Sequence, residues 1–216
     1  MSARRVLGWL AVIAVIAGLG AGFGLAPREE VQGNVQRIMY IHVPSVLTAY
    51  LAFGLVFLGS AGYLLTKRPG WDRLAAAAAE IGVLFTGVFI ASGSIWGRPT
   101  WGVWWTWDAR LTSTAVLFLV YLGYLLLRGM VEEPDARARY AAVVGILGAV
   151  NIPIVHFSVY WWRALHQPAT ILTPGKAPLS SALALPLAVN WVAFTLLFAY
   201  FLARRMEIAR LEDEGA

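Results

Sequence analysis

Six stretches of mainly apolar residues, each about twenty long, recur along the chain and constrain its fold more than any other feature. Hydrocarbon offers no partner to backbone N–H and C=O groups, so a run of that length must close its hydrogen bonds internally, as a helix. The runs fall at residues 6–26, 46–66, 76–95, 111–127, 141–160 and 183–203. Each is apolar all round instead of along one stripe, which marks spanning helices and not surface ones. The expected fold is therefore all-α: a polytopic membrane protein built as a six-transmembrane-helix bundle. Residues 1–216 are expected to form a single membrane domain, with a Trp-rich segment at 96–110 as an outer interfacial loop or helix. No internal repeat, low-complexity tract or long linker divides the chain.

Composition agrees with that reading and removes several alternatives. With 59% hydrophobic and 13% charged residues, most side chains must face lipid or one another. The absence of cysteine excludes disulfides, thiolate metal sites and covalent haem attachment through CxxCH. A net charge of +5 would suit nucleic acid, but the basic residues sit at the ends of apolar runs, where they set membrane orientation instead. With a cytoplasmic N-terminus, eleven of the seventeen Lys and Arg lie inside and six lie outside, namely Arg28, Arg37, Arg98, Arg110, Arg163 and Lys176. That bias places both termini in the cytoplasm and the loops at 27–45, 96–110 and 161–182 together on the outer face. Arg4 and Arg5 before the first run resemble the start of a signal peptide. The run is longer than a usual signal core, so a retained helix is expected.

Chemistry concentrates in those outer loops. Five of the ten tryptophans lie in IWGRPTWGVWWTWDARLT, as Trp96, Trp101, Trp104, Trp105 and Trp107, and two more, Trp161 and Trp162, lie in another outer loop. An aromatic belt would spread indoles over both interfaces, whereas these are gathered on one side. If the stretch after Pro99 is helical, Trp101, Trp104, Trp105 and Asp108 share a face at i, i+3, i+4 and i+7, making an interfacial helix with an aromatic platform.

His42, in MYIHVPS, and His166, in VYWWRALHQP, flank the tryptophans from the same side. Neutral imidazoles are the common axial donors to haem iron, and two from separate helices can clamp a macrocycle lying on indole rings. Either histidine taken alone is equally well an interfacial hydrogen-bonding residue. His156, in the outer half of the fifth run, is a supporting candidate or a neutral bond to a neighbouring helix. Arg98, Arg110 and Arg163 are candidates for the haem propionates, since guanidinium groups bind carboxylates bidentately; a salt bridge to Asp108 or contact with lipid headgroups are the alternatives. Asp108 in WDARLTS is placed to cap the fourth helix. Glu80 is a proton-handling candidate or a snorkelling carboxylate. No GxxxxGK[ST], HExxH or GxSxG motif is present, so energy from nucleotide would have to come from a partner.

The run WGRPTWGVWWTWDARLTS resembles the WWD signature of haem-handling membrane proteins. VQRIMYIHVPS and IVHFSVYWWRALHQP resemble the histidine-bearing segments of one such family, the haem exporter protein C (CcmC) family of the bacterial cytochrome c maturation system. The similarity runs over nearly the whole chain, with no departure from the signature. It implies that His42 and His166 are the haem-associated histidines, and that Trp101, Trp104, Trp105, Trp107, Asp108 and Arg110 form the signature. It further implies a multi-pass protein of the bacterial inner membrane that binds haem b transiently and without covalent bonds, on the periplasmic side. The implied partners are an ABC transporter with its ATPase and membrane subunits, a small single-helix subunit and a periplasmic haem chaperone.

The expected function is thus to hold and present haem, not to catalyse a reaction; membrane lipid is a further partner and nucleic acid is not. Two readings from other classes stay open on the residues alone: a haem or quinol oxidoreductase subunit, and a structural scaffold whose Trp loop anchors a partner.

Overall fold

The computed structural model describes residues 2–166 and 179–215; the expected outer cation Lys176 falls outside them. Helix α1 spans Ala3–Leu19 and passes into a wider π-helical turn at Gly20–Leu25. A short 3-10 turn at Asn34–Ile38 leads into α2, Met39–Thr66. The others are α3 (Pro69–Trp101), α4 (Ala109–Met130), α5 (Pro134–Trp161) and α6 (Ser181–Gly215). All six are long and apolar enough to cross a membrane, and the chain is a multi-pass helical membrane protein.

Helices α3 to α6 outrun the apolar windows at both ends, and α1 and α2 begin before theirs. At about 1.5 Å per residue, the 33 residues of α3 reach well beyond a hydrocarbon layer of about 30 Å. Hydropathy marks only the part in hydrocarbon, while the helix continues through the headgroup layer. Local chemistry then sets the ends. Pro69 and Pro134 occupy first helical positions, where the missing N–H costs nothing. Glu133 caps α5 by accepting from the N–H groups of Asp135 (2.9 Å) and Ala136 (2.6 Å), and these bonds hold its carboxyl below the usual carboxylate range. Prolines 44, 99, 153 and 186 lie inside helices, as membrane helices allow when neighbours satisfy the released carbonyls.

α2 is the central helix, packed chiefly on α3 and α5 and also on α6; α4 packs on α5, and α1 lies on the outside against α6. The contact surfaces are small-residue surfaces. Ala49 and Ala52 of α2 meet Ala75, Ala78 and Ala79 of α3 in one buried cluster, and Phe53 stacks flat on Tyr121 of α4 with ring centres 3.8 Å apart. Without a hydrophobic driving force between helices in lipid, such close approach supplies the dispersion energy that holds the bundle.

Polar ties fix the register. The wholly buried Asn190 donates from Nδ2 to the carbonyls of Gly18 (2.6 Å) and Pro186 (2.8 Å), joining α1 to α6. Arg128 grips Asp72 bidentately at 2.6 and 2.8 Å, joining α4 to α3. Glu80 is ion-paired with Arg205 Nε at 2.6 Å, so this carboxylate is engaged structurally at the bundle end that carries the chain termini.

Candidate functional site

Odd-numbered helices end, and even-numbered ones begin, at the same end of the bundle, so the segments at 26–38, 102–108 and 162–166 converge there. Trp96 donates its indole N–H to Gln32 Oε1 at 2.8 Å, tying the first segment to α3. Arg110 donates from Nη2 to the His156 carbonyl at 2.7 Å, tying α4 to α5.

His42 lies in the second turn of α2, against α3. Its Nδ1 is 3.0 Å from the Phe89 carbonyl and 3.2 Å from Ser92 Oγ. A carbonyl only accepts, so Nδ1 carries the proton and donates, and the lone pair is left on Nε2. The ring stands edge-on to Phe89 (centres 6.1 Å apart) and to Trp96 (5.7 Å). Phe89, Gly93 and Trp96 share one face of α3 at i, i+4 and i+7 and form the wall behind the imidazole. Gly93 is needed there: a Cβ at that position would sit 2.9 Å from His42 Cε1. This is the arrangement of a ring fixed in orientation and tautomer by its second nitrogen, as metal-binding histidines are.

His166 comes from the irregular segment that follows α5. Its ring centre is 5.7 Å from that of Trp101, and its Nδ1 is 3.5 Å from Arg110 Nη1. His166 and Arg110 are both near enough to His42 for their charges to act on it. The structure thus gathers His42, His166, Trp96, Trp101 and Arg110, which the sequence separates by up to 124 positions.

The predicted Trp helix does not form. α3 continues through Pro99 and closes at Trp101, Gly102 takes a left-handed conformation (φ 81°), and residues 103–108 are not helical. The i, i+3, i+4, i+7 face of Trp101, Trp104, Trp105 and Asp108 therefore does not exist. The reason is that Gly102 ends a helix readily, whereas Pro99, expected to start one, is carried inside α3. Thr100 bonds the Trp96 carbonyl in that last turn, and Arg98 bonds the Gly102 carbonyl, so Arg98 closes its own helix.

Asp108 does cap α4. Its Oδ1 accepts from Leu111 N at 2.9 Å and its Oδ2 from Thr106 Oγ1 at 3.1 Å, so both oxygens hold the loop. Trp104 and Trp107 are 59% and 78% exposed, and Trp105 meets Trp107 edge-on at 5.6 Å. Trp161 and Trp162 are exposed at the end of α5, edge-on to each other with ring centres 5.7 Å apart, and Arg163 is exposed beside them. His156 contributes its carbonyl to Arg110, while its ring packs against Tyr50 and Phe157.

Four contributors were not singled out from sequence: Phe89, Ser92, Gly93 and Gln32. The helical spacing of Phe89, Gly93 and Trp96 was the available signal, since it places a small residue between two aromatic ones on a single face.

Two buried donors, Trp105 Nε1 and Arg110 Nε, have no hydrogen-bond partner among the described residues. Unpaired buried donors are costly, and a ligand that brings acceptors would satisfy them. An imidazole lone pair with a preset tautomer, a group of open indole faces and orphaned donors together suit a flat metallated macrocycle carrying carboxylates.

The chain is similar to known proteins over most of its length. It is 46% identical over 95% of its residues to Heme exporter protein C of Bradyrhizobium diazoefficiens, covering 80% of that protein. It is 37% identical over 92% of its residues to Heme exporter protein C of Escherichia coli, covering 81% of it. It is 35% identical over 88% of its residues to a putative cytochrome c biosynthesis ccmC-like mitochondrial protein of Arabidopsis thaliana, covering 70% of it. The family model described as Heme exporter protein C matches residues 1–215, and the chain belongs to that family, CcmC.

Proposed function

We propose that the chain binds haem at the tryptophan-rich end and presents it for cytochrome c maturation, without ATPase or hydrolase chemistry of its own. The printed names of its relatives, Heme exporter protein C and a cytochrome c biosynthesis protein, support the process. The observation that carries the site is His42: its Nδ1–H is committed to the Phe89 carbonyl, so Nε2 is available to iron, with His166 and Arg110 close by.

In this reading haem b is cargo. His42 and His166 are its axial donors. Trp96 and Trp101, already in contact with these histidines, the half-buried Trp105 and the open rings of Trp104, Trp107, Trp161 and Trp162 offer surfaces to the porphyrin. Arg110 pairs with a propionate through its unpartnered Nε, with Arg98 and Arg163 nearer the rim. Asp108 acts indirectly, by shaping the loop. Binding without thioether bonds keeps the grip reversible, so that a partner with a stronger hold can take the haem.

The Lys and Arg count supports a bacterial inner-membrane protein with both termini in the cytoplasm and the haem site facing the periplasm. A periplasmic haem chaperone is the proposed recipient, and an ABC transporter with a small single-helix subunit the proposed company. The test is to purify His42→Ala and His166→Ala with haem-replete cells as the source, and to measure haem per chain and the Soret band. Loss in both supports the axial roles. Unchanged content and spectra in both would reject them.

A further inference from the structure

At the end of the bundle opposite the tryptophans, a cavity of about 330 Å³ is lined by Arg4, Arg73, Met206, Glu207 and Arg210. We propose that it binds a phosphate ester, supplied by the headgroup of an anionic phospholipid.

Three helices each contribute a guanidinium: Arg4 from the start of α1, Arg73 from the first turns of α3 and Arg210 from the last turns of α6. The one carboxylate in the lining, Glu207, is already engaged by both Arg4 and Arg204. The lining thus carries three guanidinium groups against one carboxylate. Arg73 and Arg210 make further interactions of their own, so the proposal rests on charge and position and not on vacant donors. Guanidinium groups match the paired oxygens of a phosphate, which stays charged at every physiological pH as a diester. Basic pockets between helices at the membrane surface are where such headgroups are held.

The neighbouring surface points to lipid as the source. On the side of α1 turned away from Arg4, Val6 (43% exposed), Trp9 (62%) and Ile13 (60%) form an open apolar strip facing lipid, so the cavity lies at the depth where the apolar part of α1 begins. Trp9 stands near the end of the span, the depth at which an indole favours the headgroup layer. The inference depends on the chain spanning a membrane and not on the haem site.

The full-length protein in detergent is titrated with phosphatidylglycerol or phosphatidylcholine, and bound lipid is counted by native mass spectrometry. Parallel samples contain inorganic phosphate or glycerol phosphate as competitors. Phosphatidylglycerol is expected to be retained about tenfold more tightly than phosphatidylcholine. That preference should disappear in Arg73→Gln/Arg210→Gln and in Met206→Glu, which leaves every arginine in place but adds a carboxylate to the cavity. Arg137→Gln, at the same end and outside the cavity lining, should keep it. Equal retention of the two lipids, or undiminished preference in both cavity variants, overturns the site. Full displacement by inorganic phosphate at equal concentration overturns lipid as the source.

Discussion

The surroundings of the two site histidines differ in kind. His42 sits in a regular helix with Phe89, Ser92, Gly93 and Trp96 of α3 packed around it, and its Nδ1–H is bonded to a backbone carbonyl. His166 follows the end of α5 in irregular chain, and its Nδ1 faces the guanidinium of Arg110 at 3.5 Å. A guanidinium can only donate, so that contact makes His166 Nδ1 the acceptor and leaves the proton on Nε2. In the proposed haem site one imidazole would be set for iron as the chain folds, while the other would have to exchange its contact with Arg110 before Nε2 could ligate. Two donors of unequal readiness suit a protein that must first hold a cargo and then release it.

Substitutions at five positions probe that contrast, from the largest effect to the smallest. His42→Ala is expected to lower haem affinity by about a hundredfold or more, and His166→Ala by clearly less, as measured by haem titration of the apoprotein; equal losses would erase the distinction. Gly93→Leu should cost between about tenfold and a hundredfold, because its side chain would enter the space of the His42 ring, while the helical circular dichroism stays unchanged. Arg110→Ala should weaken haem by about tenfold through the lost propionate contact, with Arg110→Lys restoring little, since an ammonium lacks the planar fork. Asp108→Ala should reduce thermal stability by about 1 kcal/mol through loss of the α4 cap, and Asp108→Asn should recover most of it.

The spans were legible because lipid imposes a simple rule on composition, and the nearness of His42 to His166 because the Lys and Arg bias puts the start of the second span and the segment after the fifth on one side. The path from Trp96 to Asp108 was not. Whether Pro99 starts a helix or is carried inside one depends on tertiary partners such as Gln32, 64 positions away, which bonds Trp96 and holds the last turn of α3 in place. Tautomers were equally hidden, since they follow from contacts such as Phe89 to His42 that join α2 to α3 across 47 positions. The role of Asp108 was readable for the opposite reason: its cap is local, three residues from donor to acceptor.

The central claim, that iron lies between His42 and His166, is tested most directly by electron paramagnetic resonance of the ferric haem-loaded protein. The account predicts a low-spin signal from two imidazoles in the wild-type chain, a high-spin signal in His42→Gly and in His166→Gly, and return of the low-spin signal when imidazole is added to either variant. An unaltered low-spin signal in His42→Gly without added imidazole would contradict it.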